Sequence, residues 1–365
     1  MTKIKDLTSV LEQFAPLAYQ ESYDNCGLLT GSSETEVKAV LIALDVTEEV
    51  VDEAIKKGCD LIIAHHPIIF KGLKKLTGSN YVERTLIKAL KNDIAIYAIH
   101  TNLDNVMGGV NSKICQKLGL KNTSVLVPKT HQLKKLITFI PVEKTEEVLK
   151  VIYHAGAGQI GNYSECSFRV EGTGSFKPNE AAYPAIGSAN KVEFVKENRV
   201  EVIFPGYLES KVISALIKAH PYEEPAFDLN LLENNNKGIG SGMIGELEPA
   251  LDETAFLHYL KERMGLKVIK HTKLLGRKIS KVAVCGGAGS FLLKNAVKAE
   301  AQVFISSDFK YHEFFDAEND IIIADIGHYE SEVYTKELIY ELLIQKFSNI
   351  ALVLSVSNTN PISYL

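Results

Sequence analysis

Hydrophobic positions along the chain fall into short unbroken runs separated by amphipathic stretches, an alternation that continues for most of the length. The run VKAVLIAL at Val37 to Leu44 predicts a strand, and Thr47 opens a capping box ahead of a helix reaching Lys57. Leu61 to Ala64 predicts a short buried strand, Val82 to Lys91 a helix, and Ile94 to Ile99 another strand. The apolar runs are continuous rather than alternating, as in strands of a parallel sheet covered on both faces. The first residues, MTKIKDLTSVLEQFAPL, read as an amphipathic helix.

The pattern changes near Pro128. From Leu133 to Leu232 the order becomes strand, helix, strand, strand, helix, strand. Leu136 to Gly156 and Val200 to Pro221 echo each other, each giving an apolar strand, a proline, an acidic helix start and an amphipathic helix. Two such halves predict a ferredoxin-like βαββαβ domain. The polar run Glu233 to Gly238 reads as a linker. Beyond Gly245 the first pattern returns, with strands at Ile279 to Cys285, Val303 to Ser306 and Ile321 to Ile326, and helices at Phe291 to Ala299 and Tyr334 to Phe347. The fold class is therefore α/β, with residues 1–130 and 236–365 forming two halves of one core and an α+β domain, residues 131–235, inserted between them.

That arrangement lets residues far apart in sequence share a site, and three predicted strand ends carry metal-type ligands. LIIAHHP places His65 and His66 directly after a strand; adjacent residues of an extended segment point to opposite sides, which suits two neighbouring ions. IAIYAIHTNLD places His100 and Asp104 at the next strand end. IIIADIGHYESE ends a strand at Asp325 and then presents His328 and Glu332, which share one face if a helix begins near His328. Ligands of open α/β sheets gather at the carboxyl ends of strands. Imidazoles and carboxylates without thiolates suit Zn²⁺, Fe²⁺, Mn²⁺ or Co²⁺, and Asp104 is the candidate bridging carboxylate. His100 is read as a donor orienting Asp104, with a ligand or a cap as alternatives. Asp45, just past the first strand, reads first as a turn or helix-start residue and second as a residue facing the site. The loop Gly286 to Gly289 reads first as a tight turn and second as an anion cradle, and Lys310 and His312 as candidate contacts for an anionic substrate. The cluster His220 to Pro225 reads as a polar loop, with a second metal site as the weaker alternative.

Composition narrows the partners. The formal charge is -5, with 40 basic against 45 acidic residues, which disfavours nucleic acid. No apolar run approaches the roughly 18 residues of a membrane span. The five cysteines are scattered and unpaired in motif, so they read as small core residues in a reducing, cytoplasmic setting.

These residues together resemble one known family. Tyr23-Asp24-Asn25-Cys26-Gly27-Leu28, His65-His66-Pro67, His100-Thr101-Asn102-Leu103-Asp104, Gly286 to Gly289, Ser307 to His312, and Gly327-His328 followed by Glu332 are similar to motifs of the NIF-three-like proteins, the dinuclear-metal-centre or type 2 GTP cyclohydrolase 1 homologues. Tyr23 departs from the family's usual tryptophan, at what reads as a packing position. The resemblance implies two related α/β halves holding two divalent ions on His65, His66, Asp104, His328 and Glu332. It also implies a CutA- or PII-like inserted domain and a toroidal homohexamer. The activity it implies is metal-dependent hydrolysis of a nucleotide or another phosphate-bearing small molecule. The rival expectation is a non-catalytic, metal-binding, ring-forming regulatory or interaction protein.

Overall fold

In the computed structural model, which describes residues 1–365, the chain divides into two compact units, residues 1–128 with 237–365 and residues 129–236. The first unit contains two sheets. One has the order Gly27–Thr30, Ala95–Ala98, Leu61–Ala64, Ala39–Ala43, Ala351–Leu354; the last four of these strands run parallel. The other has the order Lys270–His271, Ile322–Asp325, Val303–Ser307, Lys278–Ala288, Asn236–Asp252, Lys121–Lys129, with Lys278–Ala288, Val303–Ser307 and Ile322–Asp325 parallel.

The continuous apolar runs are covered on both faces, as the sequence pattern requires. Val40 and Ile42 join one core cluster, while Leu41 and Ala43 point the other way into a second. Local signals set the flanking helices. Thr47 accepts a hydrogen bond from the Val50 amide at the start of Glu48–Lys57, and Gly58 ends that helix in the left-handed conformation a side chain disfavours. Asn80 caps Tyr81–Lys91 in the same way.

The two sheets also exchange strands. Ala351–Leu354, from the C-terminal segment, pairs beside Ala39–Ala43, and Lys121–Lys129, from the N-terminal segment, closes the edge of the other sheet. Neither exchange follows from local pattern. The expected linker at Glu233 to Gly238 is also partly a strand, because Asn236–Asp252 begins inside it.

The second unit has the elements Leu133–Pro141, Thr145–His154, Phe168–Phe176, Glu193–Pro205, Glu209–Ala219 and Phe227–Leu232. Its strands pair antiparallel in the spatial order second, third, first, fourth, the ferredoxin-like arrangement. No helix of the chain is long and apolar enough to cross a membrane.

Candidate metal centre

Parallel strands bring their carboxyl ends to one edge, and the candidate ligands follow those ends directly. His65 and His66 follow Leu61–Ala64, and His100 and Asp104 bracket the short helix Thr101–Asp104 after Ala95–Ala98. His328 and Glu332 open and close the one-turn helix His328–Glu332 after Ile322–Asp325. The i, i+4 spacing brings His328 Nε2 to 3.1 Å from Glu332 Oε2.

The histidines present the same nitrogen inward. His65 Nδ1 is bonded to the Ile99 carbonyl at 2.9 Å, His66 Nδ1 to Asp45 Oδ1 at 2.7 Å, and His100 Nδ1 to Asp24 Oδ1 at 2.8 Å. His328 Nδ1 is bonded to Asp308 Oδ2 at 2.6 Å. An oxygen acceptor at Nδ1 keeps the ring proton there and leaves the Nε2 lone pair pointing at the centre, the arrangement that readies imidazole for a metal.

What those lone pairs meet is carboxylate and more imidazole. Glu332 Oε2 lies 3.0 Å from His66 Nε2, and the two imidazole Nε2 atoms of His66 and His328 stand 3.3 Å apart. His65 Nε2 lies 3.7 Å from Asp104 Oδ1 and 3.8 Å from Glu332 Oε1. His65 Nε2, Asp104 Oδ1 and Glu332 Oε2 are buried with no hydrogen-bond partner. Acceptors facing acceptors in a buried place are costly unless a cation sits between them. A tetrahedral ion with bonds of about 2.0–2.1 Å spaces its ligand atoms about 3.3–3.4 Å apart, close to the spacing of His66, His328 and Glu332. The residues therefore form groups that could hold a metal ion: His66, His328 and Glu332; His65, Asp104 and Glu332; and His65, His66 and His100.

The electrostatics tell the same story with no cation in place. Burial pushes His65 down to about 4. For His66 burial acts the same way, but Asp45 and Glu332 outweigh it and raise the ring to about 10. His328 rises to about 9 because Glu332 and Asp308 overcome its burial. Asp104 is pushed well above the ordinary carboxyl range by burial and by the Glu332 charge, whereas Glu332, despite its burial, is held well below it by the three surrounding histidines. The cluster collects protons where an ion would supply positive charge.

Several residues take different places from those the sequence suggested. Asp45 is not merely a turn residue: one carboxylate oxygen holds His66 and the other accepts from the Thr359 hydroxyl. Asp24 and Asp308, which the sequence offers only as members of the family-type motifs, anchor His100 and His328. Asp24 also accepts from the Thr101 amide at 3.0 Å, capping the helix that carries Asp104. His100 hydrogen-bonds Asp24 through its ring and does not orient Asp104, because its inward nitrogen faces His65 and His66. Asp325 turns away to Lys270. Tyr23 is 70% exposed and is therefore not a packing residue.

The first two amides of the glycine loop are not open to an anion. The Gly286 amide donates to Asn111 Oδ1 and the Gly287 amide to Ser331 Oγ, so both donors are committed to side chains. In the Ser306 to Glu313 segment it is Asp308 that reaches the centre, while Lys310 and His312 are exposed. His220 has both ring nitrogens engaged, with the Phe139 carbonyl and the Tyr222 amide, which closes it as a ligand. All five cysteines are free thiols, and Cys59, Cys115 and Cys285 are buried.

Residues 2–361 match the family described as Duf34/NIF3 (NGG1p interacting factor 3). The chain belongs to this family. Among curated DUF34/NIF3 relatives, a "GTP cyclohydrolase 1 type 2 homolog" of Halalkalibacterium halodurans is 40% identical over 361 residues, 98% of this chain and 97% of the relative. One of the same name from Bacillus subtilis is 39% identical over 367 residues, 99% of this chain and 98% of the relative. A solved Bacillus cereus structure, of a protein related to NIF3, superposes with a TM-score of 0.87 at 39% identity, covering 100% of this chain and 99% of the other. These likenesses span both α/β halves and the insertion, so the DUF34/NIF3 fold is present from end to end.

Proposed function

We propose that this protein is a dinuclear metal-dependent hydrolase whose ions are held by His65, His66, Asp104, His328 and Glu332. The observation that carries the reading is the position of Glu332. Its Oε2 faces His66 and His328, and its Oε1 faces His65 on the side of Asp104, so one carboxylate serves two donor sets. That favours Glu332 as the shared ligand over Asp104, which belongs to one set. Divalent ions bound there would supply Lewis acidity and lower the pKa of water for attack.

The protein's own groups prepare the centre. Asp45, Asp308, Asp24 and the Ile99 carbonyl fix the imidazole rings, so little reorganisation is needed when ions bind. The Cys26 thiol donates to Asp24 Oδ2 at 3.1 Å, but burial and the Asp24 charge push it up to about 12, so it stays a thiol and water is the attacking group we propose. The names of the relatives support a nucleotide-like substrate, and the reaction we propose is hydrolytic opening of the purine imidazole ring of GTP with release of C8 as formate. Assembly into a homohexameric ring of 40.3 kDa chains in the cytoplasm belongs to the same proposal, and light scattering of the purified protein measures it.

The test is a formate assay with GTP after metal removal and restoration with Zn²⁺, Fe²⁺, Mn²⁺ or Co²⁺ in turn. Formate released in proportion to enzyme, and abolished in Glu332→Gln, supports the hydrolase. Full metal occupancy with no formate and no other nucleotide turnover supports a non-catalytic metal-binding role instead.

A further inference from the structure

The inserted unit contains a cavity of its own, of about 590 Å³, within the range that encloses a drug-sized ligand. Its walls include Phe139, Phe176, Tyr222 and Glu197 and most of the residues between Lys177 and Ile186. Phe176 and Tyr222 lie 5.7 Å apart between ring centroids.

Glu197 is the unusual member. It is 7% exposed, and its Oε1 accepts the Tyr222 hydroxyl at 2.7 Å. No lysine or arginine is paired with it, although a buried carboxylate ordinarily requires a cation or several donors. Its Oε2 lies over Gly174, where any Cβ would collide with it. The strand register explains the room: Glu197 is opposite Gly172 in the antiparallel pair, so Gly172 and Gly174 leave the stretch of Phe168–Phe176 beside it without side chains. Glu223 and Glu224 add negative charge to the lining against the lone Lys177.

A buried carboxylate beside aromatic faces is the chemistry that selects organic cations, by charge pairing and by attraction of the cation to the ring faces. We infer that this cavity binds an organic cation: an ammonium group on an apolar body, with the ammonium against Glu197 and the body among Phe139, Phe176 and Tyr222. The site is separate from the metal centre, and its residues all belong to the inserted unit.

The experiment is isothermal titration calorimetry on the full chain with three probes of one shape: phenethylammonium, phenylacetamide and phenylacetate. Phenethylammonium is expected to bind saturably at one site per chain and at least tenfold more tightly than either other probe. Glu197→Gln, which keeps the acceptor for Tyr222, is expected to weaken it at least tenfold. Ala182→Phe, made in the loop that lines the cavity, fills the space without touching the carboxylate and is expected to weaken all probes. Absence of saturable binding, equal affinity for phenylacetate, or unchanged phenethylammonium binding in Glu197→Gln or in Ala182→Phe overturns the inference.

Discussion

Gly287 lies against the carboxylate of Glu332 so closely that a Cβ at that position would collide with Oε1. The backbone there has φ +63, a left-handed conformation that glycine adopts at little cost. The loop that the sequence reads first as a tight turn and second as an anion cradle is a close approach that lets the strand Lys278–Ala288 support Glu332. Gly287→Ala is expected to displace Glu332 and weaken metal binding by about tenfold to hundredfold, the usual cost of disturbing a ligand's support. Circular dichroism should remain native while competition with a chromogenic chelator reports the loss. Unchanged affinity would show that Glu332 does not need this contact.

Asp104 and Glu332 place two carboxylates in one buried centre, and with no ion present burial first and the Glu332 charge second raise Asp104. A carboxyl raised in the folded state above its ordinary 3.8 costs stability as pH climbs from that value toward the folded one. Asp104→Asn should therefore make the metal-free protein more stable than wild type, by on the order of 1 kcal/mol, with a larger advantage at pH 8 than at pH 5. The same variant should lose the rise in Tm that added metal gives the wild type. Thermal melts with and without chelator check both halves.

Asp45 connects His66 to the C-terminal segment through Thr359. Asp45→Asn can still accept at His66 but removes a charge from the second ring of contacts. Metal affinity is expected to fall about tenfold, and Thr359→Val to produce a smaller fall in the same direction. Equilibrium dialysis against a metal buffer measures both.

The core strands and the clustering of the candidate ligands were legible in the sequence because both follow from short apolar runs and what stands at their ends. Leu61–Ala64 matches its apolar run residue for residue, and His328 with Glu332 needs nothing beyond helical spacing. The anchors of the imidazole rings were not legible because they are tertiary. Asp24 reaches His100 across 76 residues, Asp45 reaches His66 across 21, and Asp308 reaches His328 across 20. Their local sequence signal was an acid at or just after a strand end or turn, which many turns share. The strand exchange by Ala351–Leu354 was hidden likewise, since four apolar residues near a terminus do not name their partner.

Glu53 ties that exchanged strand's continuation to the N-terminal half. Its carboxylate accepts from Ser355 Oγ, Ser357 Oγ and the Val356 amide while pairing with Lys57 at 2.6 Å. Burial works against the charge, but these partners prevail and lower the carboxyl to about 2. A depressed carboxyl contributes stability above its ordinary 4.5 and loses it as pH falls through the folded value. Wild type should therefore lose stability between about pH 4.5 and pH 2, and Glu53→Gln should be less stable at pH 7 with a shallower acid slope. Urea melts across that range decide it.

The most direct test of the dinuclear centre is metal content by mass spectrometry on the purified full chain, wild type beside Glu332→Gln, after dialysis against a weak chelator. The account predicts two ions per wild-type chain and a loss of both in the variant, since Glu332 belongs both to the group with His66 and His328 and to the group with His65 and Asp104. A wild-type chain that retains no metal, or a variant that keeps both ions, would contradict it.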